Sequence, residues 1–275
     1  MTSEAATVER PHLARLAYHL RILRVIAEVE FKLKYAGSVL GYAWSIAKPL
    51  AYFAVLWVVF GRVFKTGVEN FPVYLLTGIV LYLYLVDATG LALTAMANRG
   101  SLLRRLAFPA LIIPVSVSLT ALITFGINSL VVVGFAFASG VFPDLGWLLI
   151  VPLLAELFLF TLGIGLVLTT LFVRFRDVVQ LWELGAQLLL FATPIMYPVS
   201  FLPSWAQKVV FVNPFVQVLQ DVRYVIVGPT EISATASSVL GGPAGHLIPI
   251  AVALATFVFG LVIFQREAPT FPERV

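Results

Sequence analysis

The chain has 275 residues, of which 60% are hydrophobic and only 12% are charged, whereas a soluble domain carries roughly a quarter charged residues. The charges are segregated, and the stretches between them reach the roughly twenty apolar residues that a helix needs to cross a bilayer. This composition excludes a water-soluble domain, and in such a protein the net charge of +4 reports topology more than nucleic-acid binding. The absence of cysteine excludes disulfides, thiol catalysis and thiolate metal sites.

The N-terminal segment mixes basic and apolar residues, so it lacks the short apolar core of a signal peptide. Its apolar residues recur every three or four positions, which predicts an amphipathic helix lying along the membrane surface. Such a helix either only anchors the chain on anionic lipid or contacts a partner, and both alternatives remain open. The apolar stripe consists of Leu13, Leu16, Leu20, Leu23 and Ala27.

Hydropathy predicts six membrane-spanning helices in the rest of the chain. Lys and Arg concentrate before the first span, after the second and fourth spans, and after the last span. Because cytoplasmic loops carry an excess of basic residues, this asymmetry predicts two cytoplasmic termini and an even number of spans. The predicted spans are 40–63, 71–97, 111–138, 146–173, 181–199 and 246–264.

The segment between the fifth and sixth spans is predicted to form two short helices. Ser204 followed by Gln207 is a capping-box pattern, Asn213 and Pro214 are typical of the start of a second helix, and Gly228 is typical of its end. Neither helix is long enough to span, so we expect a hairpin that enters the outer leaflet and returns. The second helix would turn a polar face toward water, although a hairpin that merely caps the fold is an alternative. That polar face consists of Gln217, Gln220, Asp221 and Tyr224.

Three acidic residues, Asp87, Glu156 and Glu183, fall within or at the ends of the predicted spans. Charges are costly there, so a functional role is the first hypothesis. Asp87 precedes small residues that permit close helix packing, so a purely structural role is an equal alternative for it. For Glu183, a structural ion-pair network with Arg174, Arg176 and Asp177 is favoured.

Aromatic residues crowd the first, second and fifth predicted spans. Trp and Tyr most often form belts at membrane interfaces, but several of these residues lie too deep for that role. Aromatic faces stack on the C–H faces of sugars while phenol and indole groups make hydrogen bonds, so deep rings favour a pathway for carbohydrate. The aromatic residues in question are Tyr42, Trp44, Tyr52, Phe53, Trp57, Tyr82, Tyr84, Phe191 and Tyr197.

The sequence shows no recognisable catalytic centre. It lacks the G-x-x-x-x-G-K-[ST] phosphate loop, so it cannot bind and hydrolyse ATP through that motif. Its three histidines, His12, His19 and His246, lack metal-ligand spacing, and no acidic pair lies in a loop as a metal-dependent sugar transferase would require. We therefore predict a conduit or carrier with no catalytic, cofactor-binding or metal-binding residues of its own.

Several motifs, taken in order and spacing, resemble those of one family. Residues 31–50 read FKLKYAGSVLGYAWSIAKPL and resemble the start of the first span in type 2 ABC transporter permeases that export polysaccharides. Residues 74–78 (YLLTG) resemble their second span, and residues 98–114 resemble their cytoplasmic coupling helix and the start of the third span. Later similarities are FVRFRD at 172–177, TPIMYP at 193–198 and the pair Asn213-Pro214.

The resemblance implies a single all-α membrane domain over 1–275. It comprises a cytoplasmic amphipathic helix over 1–36, a six-span core over 37–265 with a re-entrant hairpin, and a cytoplasmic tail over 266–275. It also implies a homodimer in the bacterial cytoplasmic (inner) membrane, joined by two copies of a separate ATPase subunit that binds ATP and Mg. The expected cargo is a polysaccharide on polyprenyl diphosphate, such as O-antigen, teichoic acid or cell-wall galactan.

Three groups of residues are candidates for this transport. Rings expected to face the dimer interface would hold a sliding polymer: Trp44, Tyr52, Tyr82 and Tyr197. Cytoplasmic cations would bind the lipid diphosphate, with a plain role in topology as an equal alternative: Arg21, Arg24, Lys32 and Lys34. The loop after the second span would contact the ATPase: Asn98, Arg99, Leu103, Arg104, Arg105 and Phe108.

Two other functional classes remain open. A small-molecule or drug exporter of the same superfamily would share the architecture, although the aromatic content and the short re-entrant helices disfavour it. A membrane enzyme of lipid-linked sugar assembly would need a catalytic cluster facing one leaflet, and the sequence shows none.

Overall fold

The protein was analysed as a computed structural model that describes residues 12–38, 41–63, 67–99, 109–229 and 233–271. Within those ranges every regular element is helical, and five helical runs are long and apolar enough to cross a membrane. This architecture confirms the predicted all-α membrane class. The five runs are Ala43–Val63, Phe71–Asn98, Ile112–Ala138, Leu145–Arg174 and Pro243–Thr270.

The α-helices follow the predicted order along the chain. The second one continues as a π-helix over Trp57–Val63, and short 3₁₀ segments precede the fifth and the tenth. The helices are α1 His12–Tyr35, α2 Ala43–Leu56, α3 Phe71–Asn98, α4 Ile112–Ala138, α5 Ile150–Arg174, α6 Val178–Ala192, α7 Ser204–Phe211, α8 Pro214–Val227, α9 Ala236–Leu240 and α10 Leu247–Glu267.

Helix α3 is the centre of the bundle. In its most apolar stretch, 72% of the residues are buried inside the protein, whereas in that of the first span, Ala43–Val63, only 11% are buried. α3 packs against α4 and α5 along most of its length, and the largest apolar cluster is built around it. The first span therefore lies at the periphery of the protomer and presents most of its surface to lipid or to another protein.

Helices α5 and α10 approach each other closely through two glycines. A Cβ added at Gly163 would lie 2.7 Å from the Cα atom of Phe257, and one added at Gly260 would collide with the carbonyl oxygen of Gly163. Small residues at such crossings let helix backbones meet, which is a main source of packing energy between helices in membranes. The last span is thereby held against the fourth.

The fifth predicted span is shorter in the structure than expected. α6 has 15 residues, about 22 Å of helix, which is less than the roughly 30 Å hydrocarbon core. From Thr193 to Pro198 the chain is not helical, because Pro194 and Pro198 interrupt the backbone hydrogen-bond pattern. The prediction of one continuous helix over 181–199 is thus wrong from Thr193 onward.

The two predicted short helices are confirmed, while their re-entrant course in the membrane stays a prediction. α7 and α8 form a pair bent by 100°, and the side chain of Asn213 accepts a hydrogen bond from the backbone N–H of Phe215 at 3.0 Å. Gly228 ends α8 with φ +86°, a conformation that glycine adopts without strain. The capping box at the start of α7 is not formed, since the helix begins at Ser204 itself and Gln207 donates to the carbonyl of Leu202.

Helix α1 confirms the predicted N-terminal helix and packs against α4. The hydroxyl of Thr120 donates to the backbone oxygen of Ala27 at 3.2 Å, and Ala27 is buried. The side chains of Leu13, Leu16 and Leu20 lie outside the described residues. One end of α1 is therefore fixed to the bundle at the end where α3 finishes.

We expect Gly163→Ala to lower the apparent melting temperature of the detergent-purified protein, because α10 must move away and overpacking costs about 1–3 kcal/mol. The matched control is Gly134→Ala in α4, where an added Cβ meets nothing within 4 Å and alanine favours the helix. Thermal unfolding followed by size-exclusion chromatography measures both. Equal melting temperatures for the two variants would contradict the close α5–α10 contact.

Candidate functional site

A groove of about 510 Å³ opens along the first span, between α2, α3, α4 and the end of α1. It brings together two predicted channel residues, Trp44 and Tyr52, and one predicted diphosphate ligand, Lys34. The two rings are 54% and 40% exposed in the protomer, so their faces are available to a ligand. The other polar residues of the groove are Ser45, Lys48, Asp87, Thr124 and Asn128.

The ammonium group of Lys34 forms an ion pair with Asp87 at 2.7 Å. Their side chains are 23% and 29% exposed, so the pair is less screened by water than one at a free surface. The contact gives Asp87 the structural partner that one of the two sequence hypotheses required. It also joins the last turn of α1 to the middle of α3 at the mouth of the groove.

Lys48 and Asn128 are polar residues of the groove that the sequence reasoning missed. Lys48 lies inside the first predicted span, yet it is exposed in the groove, and no carboxylate of the described chain lies within 4 Å of it. Asn128 is buried, and its Oδ1 atom has no hydrogen-bond partner among the described residues. Their positions within predicted spans could have identified them, since polar groups deep in a membrane span are costly and often functional.

The other predicted diphosphate ligands lie away from the groove, on the exposed side of α1. Arg21 and Lys32 are exposed, and Arg24 donates to Glu28 at 2.8 Å in an exposed pair one helical turn apart. The hydrogen bond from Arg24, together with its charge, lowers the pKa of Glu28 below its ordinary value. Only Lys34 of the four cations therefore borders the groove.

The other two predicted channel residues occupy different environments. Tyr82 is only 6% exposed, and its hydroxyl donates to the carbonyl of Ala186 in α6 at 2.8 Å. Tyr197 lies beyond the end of α6, where its hydroxyl donates to the carbonyl of Phe191 at 3.1 Å. The four rings thus do not line one surface, and Tyr82 belongs to the interior of the protomer.

The predicted ATPase contacts are only partly covered by the described residues. Asn98 is exposed at the end of α3, whereas Arg99 is buried and donates to Glu30 of α1 at 2.8 Å. Arg99 therefore ties α1 to α3, and its side chain is not free to meet a partner subunit in this conformation. Leu103, Arg104, Arg105 and Phe108 lie outside the described residues.

The ion-pair network predicted around Glu183 is not formed. Within the described chain no ion pair of 4 Å or less joins Glu183 to a basic residue. The two nearby guanidinium groups lie instead over aromatic rings, that of Arg174 over Phe175 and that of Arg176 over Phe172. Cation–π contacts of this kind replace the expected salt bridges.

At the opposite end of the bundle, Arg223 of α8 forms a clamp that the sequence reasoning missed. Its side chain is 3% exposed and donates to the carbonyls of Tyr74, Pro194 and Ile195 at 3.0, 2.7 and 2.6 Å. Its guanidinium also lies 3.5 Å from the centre of the Tyr74 ring. Arg223 lies in the segment between the fifth and sixth predicted spans, where a basic residue normally reports topology.

The clamp explains the spacing of the YLLTG motif. Tyr74 supplies both a carbonyl and a ring to Arg223, and Gly78, one turn later, leaves space for the guanidinium, which an added Cβ would overlap. The motif therefore forms the site on α3 that binds the side chain of Arg223 from α8. It fixes α8 and the chain after α6 to the central helix.

The predicted polar face of α8 is mostly buried, which corrects the expectation that it borders water. Gln217, Gln220 and Asp221 are all buried, and only Tyr224 is exposed. Their partners are protein groups: Gln220 donates to the carbonyl of Pro194 and Gln217 to the carboxylate of Asp221. Amphipathicity alone could not distinguish water from a polar protein interior.

Comparison with protein families gives one extensive match. The model of the ABC-2 type transporter family matches residues 22–227. The chain belongs to the ABC-2 type transporter family. The matched range runs from the middle of α1 to the end of α8, so it includes both the groove along the first span and the Arg223 clamp.

Characterised relatives of this ABC-2 protein are permeases of carbohydrate export. It is 29% identical to the O-antigen export system permease protein RfbA of Klebsiella pneumoniae over 209 residues, which cover 76% of this chain and 81% of that protein. It is 28% identical to RfbA of Myxococcus xanthus over 75% of this chain and 81% of that one. It is 25% identical to the polysialic acid transport protein KpsM of Escherichia coli over 70% and 75%.

We expect Arg223→Met to destabilise this permease by about 1–3 kcal/mol, the cost of one unsatisfied buried group, because the carbonyl of Ile195 loses its side-chain donor whereas that of Pro194 keeps Gln220. Arg223→Lys should recover only part of the loss, since an ammonium lacks the planar fork that reaches several carbonyls. The yield of monodisperse protein and its apparent melting temperature are the readouts. The matched control is Lys208→Met at an exposed position, and equal stability of Arg223→Met and this control would contradict the clamp.

Proposed function

We propose that this ABC-2 protein is the membrane-spanning permease subunit of an ATP-driven exporter that moves a polyprenyl-diphosphate-linked polysaccharide out of the cytoplasm. O-antigen, teichoic acid and cell-wall galactan are the polymers of this chemistry. The observation that carries the proposal is the groove along the first span, where two exposed aromatic rings, Trp44 and Tyr52, lie beside Lys48. Rings support weak stacking on sugars, and the cation suits a phosphate.

A sliding polymer needs a surface that binds loosely. Stacking on Trp44 and Tyr52 does not depend on a single sugar orientation, so a chain can advance without breaking a fixed set of hydrogen bonds. Lys48 and the Lys34–Asp87 pair stand at the same groove and would attract the diphosphate of the lipid carrier. The identity of two relatives as O-antigen export permeases supports this assignment.

A second copy of the chain would close the groove in a homodimer. The first span is the least buried of the candidate spans, and α6 exposes a parallel row of apolar side chains on the neighbouring side of α3, namely Leu181, Leu184, Leu188 and Phe191. Both surfaces face outward from the protomer. We infer that they meet across a two-fold axis, so that the polymer pathway lies between two subunits.

The energy for transport would come from another chain. Since the sequence has no phosphate loop, ATP and Mg would be bound by two copies of a separate ATPase subunit. That subunit would dock at the end of the bundle where α1 and the end of α3 meet. With the basic loops on the same side, both termini would be cytoplasmic and the membrane would be the bacterial inner membrane.

The first test concerns the division of labour between subunits. We expect the purified permease to show no ATP hydrolysis above background, and activity to appear when the ATPase subunit is added to the reconstituted protein. A phosphate-release assay in lipid vesicles measures both. Hydrolysis by the permease alone would contradict the proposal.

The second test separates groove rings from core rings. We expect Trp44→Ala and Tyr52→Ala to lower polymer export while yield and melting temperature stay near those of the wild type. Tyr82→Ala should instead lower stability first, because truncating a buried aromatic residue costs about 3–5 kcal/mol. Surface polymer on cells and the thermal stability of the purified protein are measured in parallel.

The matched control for this second test is Phe259→Ala, an exposed ring on α10 far from the groove in the chain and not among the residues that line it. It should change neither export nor stability. Normal export by Trp44→Ala and Tyr52→Ala at normal yield would exclude the groove as the polymer pathway and assign these rings to a lipid-facing belt.

A further inference from the structure

A second polar site lies at the end of the bundle that carries the Arg223 clamp, between α5, α8 and the start of α10. Asp221 is its centre: its Oδ2 atom accepts a hydrogen bond from Gln217 at 2.6 Å and lies 3.0 Å from Nε2 of His246. Asp221 and Gln217 are both buried. The site thus joins the re-entrant helix α8 to the first residues of the last span.

Two cavities border this centre. One, of about 490 Å³, is lined by Asp221, Tyr224 and His246 together with serine and threonine residues at and just before the start of α9, namely Ser233, Thr235, Ser237 and Ser238. The other, of about 360 Å³, is lined by Glu156, Gln217 and His246 on an otherwise apolar wall. Because His246 borders both, the two cavities adjoin, and each has a volume in the range of small-molecule sites.

The unsatisfied atoms of this region are acceptors. Among the described residues, Glu156 Oε1, Gln217 Oε1 and Asp221 Oδ1 are buried without a hydrogen-bond partner, and Gln217 is completely buried. A buried acceptor without a donor is destabilising, and a ligand that donates a hydrogen bond removes that cost. A ligand that fits here must therefore bring hydrogen-bond donors.

Tyr224 offers the ligand a group that can both donate and accept a hydrogen bond. Its side chain is exposed to the larger cavity, and its hydroxyl donates to no group among the described residues. An ammonium group donates but cannot accept, whereas a sugar hydroxyl does both. The phenol ring also offers a face for the C–H side of a pyranose.

We propose that the two adjoining cavities together bind a sugar residue, with Asp221 of the larger and Gln217 of the smaller accepting from its hydroxyls and Tyr224 and His246 completing the contact. The proposal deepens the proposed function and rests on it, because a sugar site at this end of the bundle would hold polymer that has passed the groove. The site is distinct from the groove: the residues of the two share no member.

The test uses the full-length permease in lipid nanodiscs and saturation-transfer NMR with D-galactose and D-mannose as probes and ethanolamine as the ammonium comparison. We expect transfer from the wild-type protein to at least one sugar. Tyr224→Phe removes one hydroxyl that has no hydrogen-bond partner among the described residues and should reduce the signal severalfold without affecting folding. Asp221→Asn should weaken binding about tenfold or more, as expected for loss of a charged acceptor.

The matched control is Asp144→Asn, which removes an exposed carboxylate outside both cavities and should leave the signal unchanged. Three results would overturn the site: no transfer to either sugar, transfer to ethanolamine alone, or sugar transfer that Trp44→Ala abolishes and Tyr224→Phe leaves intact. A wild-type permease that exports polymer but gives no sugar signal overturns this site alone. Sugar binding through Tyr224 without any polymer export refutes the proposed function instead.

Discussion

The hydrogen bonds from Arg223 to three backbone carbonyls are the interaction on which the end of the bundle that carries α7 and α8 depends. Inside a bilayer, irregular backbone is tolerated only where the protein itself satisfies its polar groups. After α6 ends, the chain turns through Pro194 and Ile195, and one guanidinium supplies donors to both carbonyls and to Tyr74 of α3. Its rigid fork of five donors suits this task better than any other side chain. That attachment holds the irregular chain after α6 and the helix α8 against α3.

The distribution of burial explains how a rigid bundle can also offer a pathway. α3 packs on all sides, and the Gly163–Gly260 crossing holds α5 and α10 together. The first span keeps most of its surface outside the protomer, so its polar and aromatic residues can face a ligand without disturbing the core. Apolar surface gains nothing by leaving lipid for protein. Which face of a span is buried is therefore set by small residues and hydrogen bonds, and only weakly by hydrophobicity.

At the end of the bundle opposite the Arg223 clamp, two ion pairs connect α1 to α3. Lys34 binds Asp87, and Glu30 binds Arg99 about three turns further along α3, while Thr120 of α4 binds the backbone of α1. A displacement of α1 would therefore be passed directly to the central helix and to the groove beside it. In both pairs the cation and the anion lie in different segments of the sequence. Neither residue, taken alone, predicts that the two helices are joined.

The sequence by itself determined that the protein lies in a lipid bilayer and is all-α. It also determined the approximate spans and the two short helices before the last span. Those features depend on local properties: runs of apolar residues, the Asn213-Pro214 start and the Gly228 end of a helix. It also indicated Trp44 and Tyr52 as exposed rings, which the structure brings together with Lys34. Only the tertiary structure decided that Tyr82 is buried, that Arg99 and Asp87 are paired within the protomer, and that Arg223 holds the hairpin. Each of these contacts depends on a partner 53 or more residues away. Because the chain is apolar almost throughout, no local sequence pattern predicts which face of a helix a distant partner will cover.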